Sequence, residues 1–192
     1  MSRQVGLRDI YVAELLTDTS GVAGETTYET PIKLERAISA KLSPKSSSES
    51  VYSDDAVEDI ISAFEGVEVE IEVSQLSLTS RALLQGAKVV KGVLIENKED
   101  MPPTIALGFK SKKNNKKYRY VWLLKGKFAP SNDDYETEAE KPKSQSATLK
   151  GTFYSRDSDG NYRFIADEDE VGADQTIITS WFTAVLEEPV VV

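Results

Sequence analysis

Lys110, Lys112, Lys113, Lys116, Lys117 and Arg119 crowd around Asn114-Asn115, and Tyr118, Tyr120 and Trp122 follow at alternate positions. Cations interleaved with aromatic rings suit single-stranded nucleic acid, because ammonium groups track phosphates while rings stack on bases. The same residues also suit the solvated tip of a hairpin above core aromatics, or a docking point for an acidic surface. Carboxylates supply the other candidate chemistry. Asp54-Asp55, Glu58-Asp59 and Asp167-Glu168-Asp169-Glu170 are acid clusters of the kind that bind divalent cations or run acid–base hydrolysis. Asp157-x-Asp159-Gly160-Asn161 opens like a calcium loop, and Glu168 stands where such a loop places its last ligand. Its flanks read as strands rather than helices, and Asp-Gly is a turn signal in its own right. In polar segments such clusters are more often solvated charge than catalytic pairs.

Two absences narrow the field. The chain has no histidine and no cysteine, which removes the commonest general base, the commonest transition-metal ligand and every thiolate. No glycine-rich phosphate loop, zinc spacing or nucleophile elbow is present. The expectation is a protein that is not an enzyme, with no catalytic, cofactor or metal site. The net charge of −9 opposes sequence-independent DNA binding, which depends on neutralising phosphates with Lys and Arg. The N-terminus, Met1-Ser2-Arg3-Gln4-Val5-Gly6-Leu7-Arg8-Asp9, lacks a signal peptide's apolar core, and no apolar run is long enough to span a bilayer. The expectation is a protein made and kept in the cytosol, or released by lysis, with no membrane partner.

The elements that position these residues are mostly strands. The lysine cluster is a turn between Ile105–Phe109 and Tyr118–Phe128. In the second strand Tyr118, Tyr120, Trp122 and Leu124 share one face, and Arg119, Val121, Leu123 and Lys125 the other. Asp9–Thr17, Glu25–Leu34 (interrupted by Pro31), Ala37–Ser43, Lys88–Glu96, Ser144–Tyr154 and Tyr162–Ala166 also read as strands. Gly66–Ser74 alternates most cleanly, with Val67, Val69, Ile71 and Val73 opposed to Glu68, Glu70 and Glu72. Carboxylates spaced roughly 7 Å apart repel, so that face meets water or cations, as a solvated outer face or the wall of a wet channel. Ser77–Gln85 reads as a helix capped by Ser77 or Thr79 and ended by Gly86, with Leu78, Ala82 and Leu83 toward the sheet. Ala173–Leu186 reads as a second, short helix, with Ile177, Trp181, Ala184 and Val185 on one side and Asp174 near its start.

Two stretches, Pro44–Ile60 and Ala129–Lys143, are polar and acidic and read as long loops, mobile or ordered by a partner. The arm 187–192 ends in Val190-Val191-Val192, suited to strand addition on a neighbour. No internal repeat is present. The chain reads as one domain over 1–192, mainly β (α+β): a β-sandwich or barrel with a flanking helix.

Taken together the segments resemble the major tail (tail tube) proteins of long-tailed bacteriophages, most closely the phi13-type family of Gram-positive phages. The likeness runs through Val5-Gly6-Leu7-Arg8-Asp9-Ile10-Tyr11, Ala37-Ile38-Ser39-Ala40, Tyr52-Ser53-Asp54-Asp55 and Gly66-Val67-Glu68-Val69-Glu70. It is densest from Gly92 to Asn97, Ala106 to Ser111 and Tyr118 to Gly126, and closes at Thr152-Phe153 and Trp181-Phe182. Order and spacing carry it rather than any one motif. The resemblance implies a virion protein without an enzymatic site, assembled in the host cytoplasm. Its partners would be itself, in hexameric rings stacked as a hollow tube; the tape measure protein inside; and the tail terminator and distal tail proteins at the ends. Genomic DNA would pass through without specific binding. Glu68, Glu70 and Glu72 then become candidates for the lumen lining. Lys110, Lys112, Lys113, Lys116, Lys117, Tyr52, Asp54, Asp55, Val190, Val191 and Val192 become candidates for contacts between subunits. The alternative is a β-sandwich module on a virion or cell surface that binds carbohydrate or protein.

Overall fold

A computed structural model describes residues 2–21, 25–53, 56–131 and 146–189, with the backbone alone over 49–61. Strand β1 (Gln4–Thr17) is followed by two short strands, β2 (Thr27–Tyr28) and β3 (Ile32–Lys33), both laid on β1 and separated around Pro31. Then come β4 (Ala37–Ser53), β5 (Ala56–Val73), helix α1 (Leu78–Gln85), a small hairpin of β6 (Lys88–Val90) and β7 (Val93–Ile95), β8 (Ile105–Lys113), β9 (Tyr118–Phe128), β10 (Ala147–Tyr154), β11 (Arg163–Asp167) and α2 (Gln175–Ser180). The main sheet is antiparallel in the order β2-β1-β8-β9-β10-β5-β4, with β11 also on β9. Strands β1 and β4 also come into contact, so the sheet curls round its inner face. Among the described residues no helix is long and apolar enough to cross a membrane.

Both faces of the central strands are covered, and this explains their near-continuous apolar sequence. The inner face packs Ile10, Val12, Val67, Val69, Ile71, Leu107, Val121, Leu123, Leu149 and Phe153. The outer face of β1, β8 and β9 carries Ala13, Ala106, Trp122 and Leu124, roofed by Trp181, Phe182 and Val185 of the C-terminal segment. Trp122 lies across Gly108, its neighbour on β8, and its indole N–H donates to the Trp181 carbonyl at 3.0 Å. Trp122 and Leu124 are thus core residues of one chain, and Tyr120 packs partly buried against them.

Four sequence expectations change. Pro44–Ile60 is not a loop: β4 and β5 pair from Ala37↔Val73 to Ser53↔Ala56, with three irregularities in the register. Its Ser-, Asp- and Glu-rich composition has low strand propensity, and the long backbone ladder overrides it. Pro44 is tolerated because β4 is an edge strand. Lys88–Glu96 is a tight hairpin rather than one strand. Lys91 and Gly92 both take positive φ, 50° and 81°, as a two-residue turn of the primed type requires. In α1, Ser77 caps the start and Gly86 the end as expected, and Ala82 is buried. Leu78, however, is 46% exposed and Leu84 takes its place in the core. Leu78 is the first helical residue, so its Cβ tilts away from the rest of the helix. Helix α2 stops at Ser180, short of the expected end at Leu186. The Ala129–Lys143 loop, Asp54, Asp55, the Tyr52 side chain and Val190–Val192 lie wholly or mostly outside the described residues.

Candidate interaction surfaces

The β8–β9 turn meets its acidic counterpart within the chain. Strand β11 lies on β9 with Asp167 opposite Arg119, and this register delivers Asp167-Glu168-Asp169 to the lysine cluster. Lys113, only 4% exposed, contacts Asp167 at 3.1 Å and also Asp169. Lys117 reaches Glu168 at 3.1 Å, and Glu168 also accepts from the Tyr118 N–H at 3.0 Å. Arg119 pairs with Asp167 through two nitrogens. Lys110 turns the other way, to Asp9 on β1 at 2.7 Å. The Asp167 carboxyl is held below its usual pKa chiefly by Arg119, and that of Asp9 by Lys110 and Lys33. Lys110, Lys113 and Lys117 therefore satisfy acids of their own chain. Lys112 and the exposed Lys116 make no ion pair among the described residues.

The calcium-like turn is also internally committed. Arg156, with no side-chain exposure, binds Asp159 and reaches Glu187 at 3.2 Å. Asp157 pairs with Lys125 at 2.7 Å, and Lys125 also holds Asp18 at 2.6 Å. Asp18 in turn accepts from the backbone N–H groups of Asp157 and Ser158, both at 2.9 Å. These carboxylates fasten the 157–161 turn and the start of the C-terminal tail to the sheet.

Glu68, Glu70 and Glu72 point away from the core, as their alternation with buried valines requires. Their surroundings are not purely acidic. Cross-strand register sets Glu70 between Lys41 of β4 and Lys150 of β10, and Glu68 in a row with Ser43, Thr152 and Lys127. Lys45 reaches Glu68 at 3.2 Å and Lys150 reaches Glu70 at 3.6 Å, while Glu72 accepts from Ser146 at 2.6 Å. The glutamates and lysines surround an open depression of about 570 Å³ floored by Gly151. This face is a charge-compensated ladder. Nothing within one strand's sequence signals it, because the compensating lysines sit on three other strands.

The last surface is the far half of the β4–β5 hairpin. Strand β10 covers β5 only from Val67 to Val73, so from Ser46↔Phe64 outward β4 and β5 pair with each other alone. The departure point is irregular: the register shifts between Lys45 and Ser46, and Gly66 sits at φ 143°. A Cβ on Gly66 would lie 2.7 Å from the Phe153 carbonyl oxygen. A bulge and a positive-φ glycine at this point bend the strand pair where β10 stops covering it. Compared with protein-family models and with curated proteins, the chain matches none.

Proposed function

We propose that this chain is a structural, self-assembling subunit of a phage tail tube, built as hexameric rings stacked around a hollow lumen. The observation that carries the reading is the two-stranded ribbon beyond Gly66. It extends roughly 30 Å from the last residues β10 covers, at about 3.4 Å per residue. An isolated two-stranded ribbon is marginal in water and gains stability when a further surface covers it. A subunit that forms rings and stacks supplies such a surface from another copy. The mainly antiparallel β architecture and the engagement of the 157–161 and 167–169 acids by Arg and Lys fit a structural role. The tail-tube assignment itself rests on the family resemblance.

In this reading the ladder of Glu68, Glu70 and Glu72 faces the lumen. Interleaved lysines leave it without a strong field of either sign, so DNA slides over it without sticking. The tape measure protein fills the same lumen before the genome does, and the tail terminator and distal tail proteins close the tube's ends. The chain then resides in the virion tail after assembly in the host cytoplasm. Negative-stain microscopy of purified protein tests the reading, with six-fold rings or tubes as the expected result. A folded monomer that persists at high concentration and binds glycan overturns it in favour of a surface binding module.

A further inference from the structure

The geometry points to a second interface, in which the β6–β7 hairpin of one copy seats in a groove beside β11 of another. The inference rests on the self-assembly reading and says which surfaces carry it. The hairpin is anomalous as a surface element. It belongs to no larger sheet, and both its outer edges are unpaired among the described residues. Val89 and Leu94 share one face; Val90, Val93 and Ile95 form the other and are 50–60% exposed. Two three-residue strands with an apolar outer face hold together poorly alone and present a template for strand addition.

A matching receptor lies elsewhere on the chain. Leu124 N–H donates to the Tyr162 carbonyl, and Glu168 N–H to that of Tyr118. Even-numbered residues of β11 thus bond to β9, and the backbone groups of Arg163 and Ile165 point to the opposite, open edge. Along that edge runs an apolar groove of about 530 Å³, walled by Ile165, Val171, Ile177, Trp181, Leu186 and Pro189. The Trp181 indole N–H, buried behind the groove wall, has no hydrogen-bond partner among the described residues. Charge agrees: Asp167, Glu170 and Asp174 outnumber Arg163 along the groove, while Lys88 and Lys91 flank Val89-Val90 on β6.

Placement decides what the pair can build. Helix α1, which carries the hairpin, bonds through Gln85 to Ser131, just past the end of β9 at Phe128. The groove lies along the first half of β9, opposite Arg119 to Leu123. Knob and hole therefore sit toward opposite ends of β9. Such a contact is head-to-tail and propagates into rings or stacks rather than closing as a symmetric dimer.

The test uses two disabled forms of the full chain, followed by light scattering and microscopy. Val93→Glu spoils the hairpin at an exposed position. Ile165→Pro removes the outward N–H of β11 and leaves the bonds to β9, and Val171→Glu does the same job should the proline variant fail to fold. Each form alone stops at a smaller species than the wild type. Mixed in equal amounts, an intact hairpin meets an intact groove once, so the mass doubles and goes no further. Wild-type-like assembly of either form, or a mixture that does not join, overturns the interface while leaving self-assembly standing. A wild-type chain that stays monomeric overturns both.

Discussion

The ammonium of Lys113, at the base of the β8–β9 turn, lies 3.1 Å from Oδ2 of Asp167 at the end of β11 and is only 4% exposed. The contact joins a lysine-rich tip and an acidic run separated by more than the whole of β9 and β10. It turns an apparent docking patch into an internal clasp. Removing the charge while keeping the volume, by Lys113→Met, leaves Asp167 with Arg119 alone. We expect a loss of about 1–3 kcal/mol, the range for leaving a partly buried acceptor without its donor. Urea denaturation checks this, and a change within 0.5 kcal/mol (about the spread of neutral surface substitutions) would remove the clasp.

Gly66 is the second position where one residue decides geometry. At φ 143° and with the Phe153 carbonyl oxygen 2.7 Å from where a Cβ would stand, it has no room for a side chain. Gly66→Ala forces β5 to shift just where the ribbon leaves the sheet. The expected cost is roughly 1–3 kcal/mol of strain. Assembly should suffer more than folding, because the ribbon is re-aimed. The check pairs a thermal melt with microscopy: a variant that melts several degrees low yet builds normal tubes would separate ribbon direction from assembly.

Asp18 sets a pH dependence. Burial pushes its pKa up, but hydrogen bonds from the Asp157 N–H, Lys125 and Ser158 outweigh that and bring it down to about 2 from the ordinary 3.8. A depressed acid contributes stability that is complete above its unfolded value and is lost as pH falls through the folded one. The window is therefore pH 4 to 2, and Asp9, Asp159 and Asp167 are shifted in the same direction. Glu187 runs the other way, since burial raises its pKa and the folded state gains as it protonates. Asp18→Asn should cost about 2 kcal/mol at pH 7 and progressively less toward pH 2. Denaturation curves at both ends of that range read the difference, and a pH-independent loss would rule out the charge.

Much of this was legible in one dimension. Alternation at Val67–Val73, the Ser77 and Gly86 caps of α1 and the strand run at Tyr118–Phe128 are local signals, and each element stands where the spacing puts it. What was not legible is what strands owe to their neighbours. The lysines at 41, 127 and 150 compensate the glutamates only through register across β4, β9 and β10. The Pro44–Ile60 stretch reads as loop because Ser, Asp and Glu carry little strand preference, while a hairpin ladder needs only backbone pairing. The β6–β7 turn was missed because Lys91-Gly92 is a weaker hairpin signal than Asn-Gly.

Lys112 and Lys116 are the members of the tip left without an ion pair among the described residues, so they carry whatever docking the cluster performs. Lys112→Glu with Lys116→Glu should leave the melting temperature nearly unchanged, since solvated charges contribute little to folding. Assembly should weaken by roughly tenfold in critical concentration, the size of a modest interfacial charge effect of about 1.4 kcal/mol. The defect should shrink at high salt, where the Debye length falls to about 3 Å. Sedimentation at low and high salt measures it, and salt-independent assembly equal to wild type would free the tip of any role between subunits.

The ladder makes the sharpest claim about passage. Reversing Glu68, Glu70 and Glu72 to Lys removes the carboxylates and leaves Lys41, Lys45, Lys127 and Lys150 beside new cations. Because Glu68 and Glu70 make only exposed pairs, stability should fall by about 1 kcal/mol or less per pair, and tube length should hold. If this face lines the lumen, the channel becomes a polycation repeated in every ring. DNA then adheres to it, with an affinity that falls steeply as salt rises. Virions carrying the triple change should eject slowly or stall, and added salt should restore ejection. The mirror variant, Lys41, Lys127 and Lys150 to Glu, should eject normally, since added like charge only repels the genome. Normal ejection by the triple-lysine form, with tubes of normal length, would place Glu68, Glu70 and Glu72 outside the lumen.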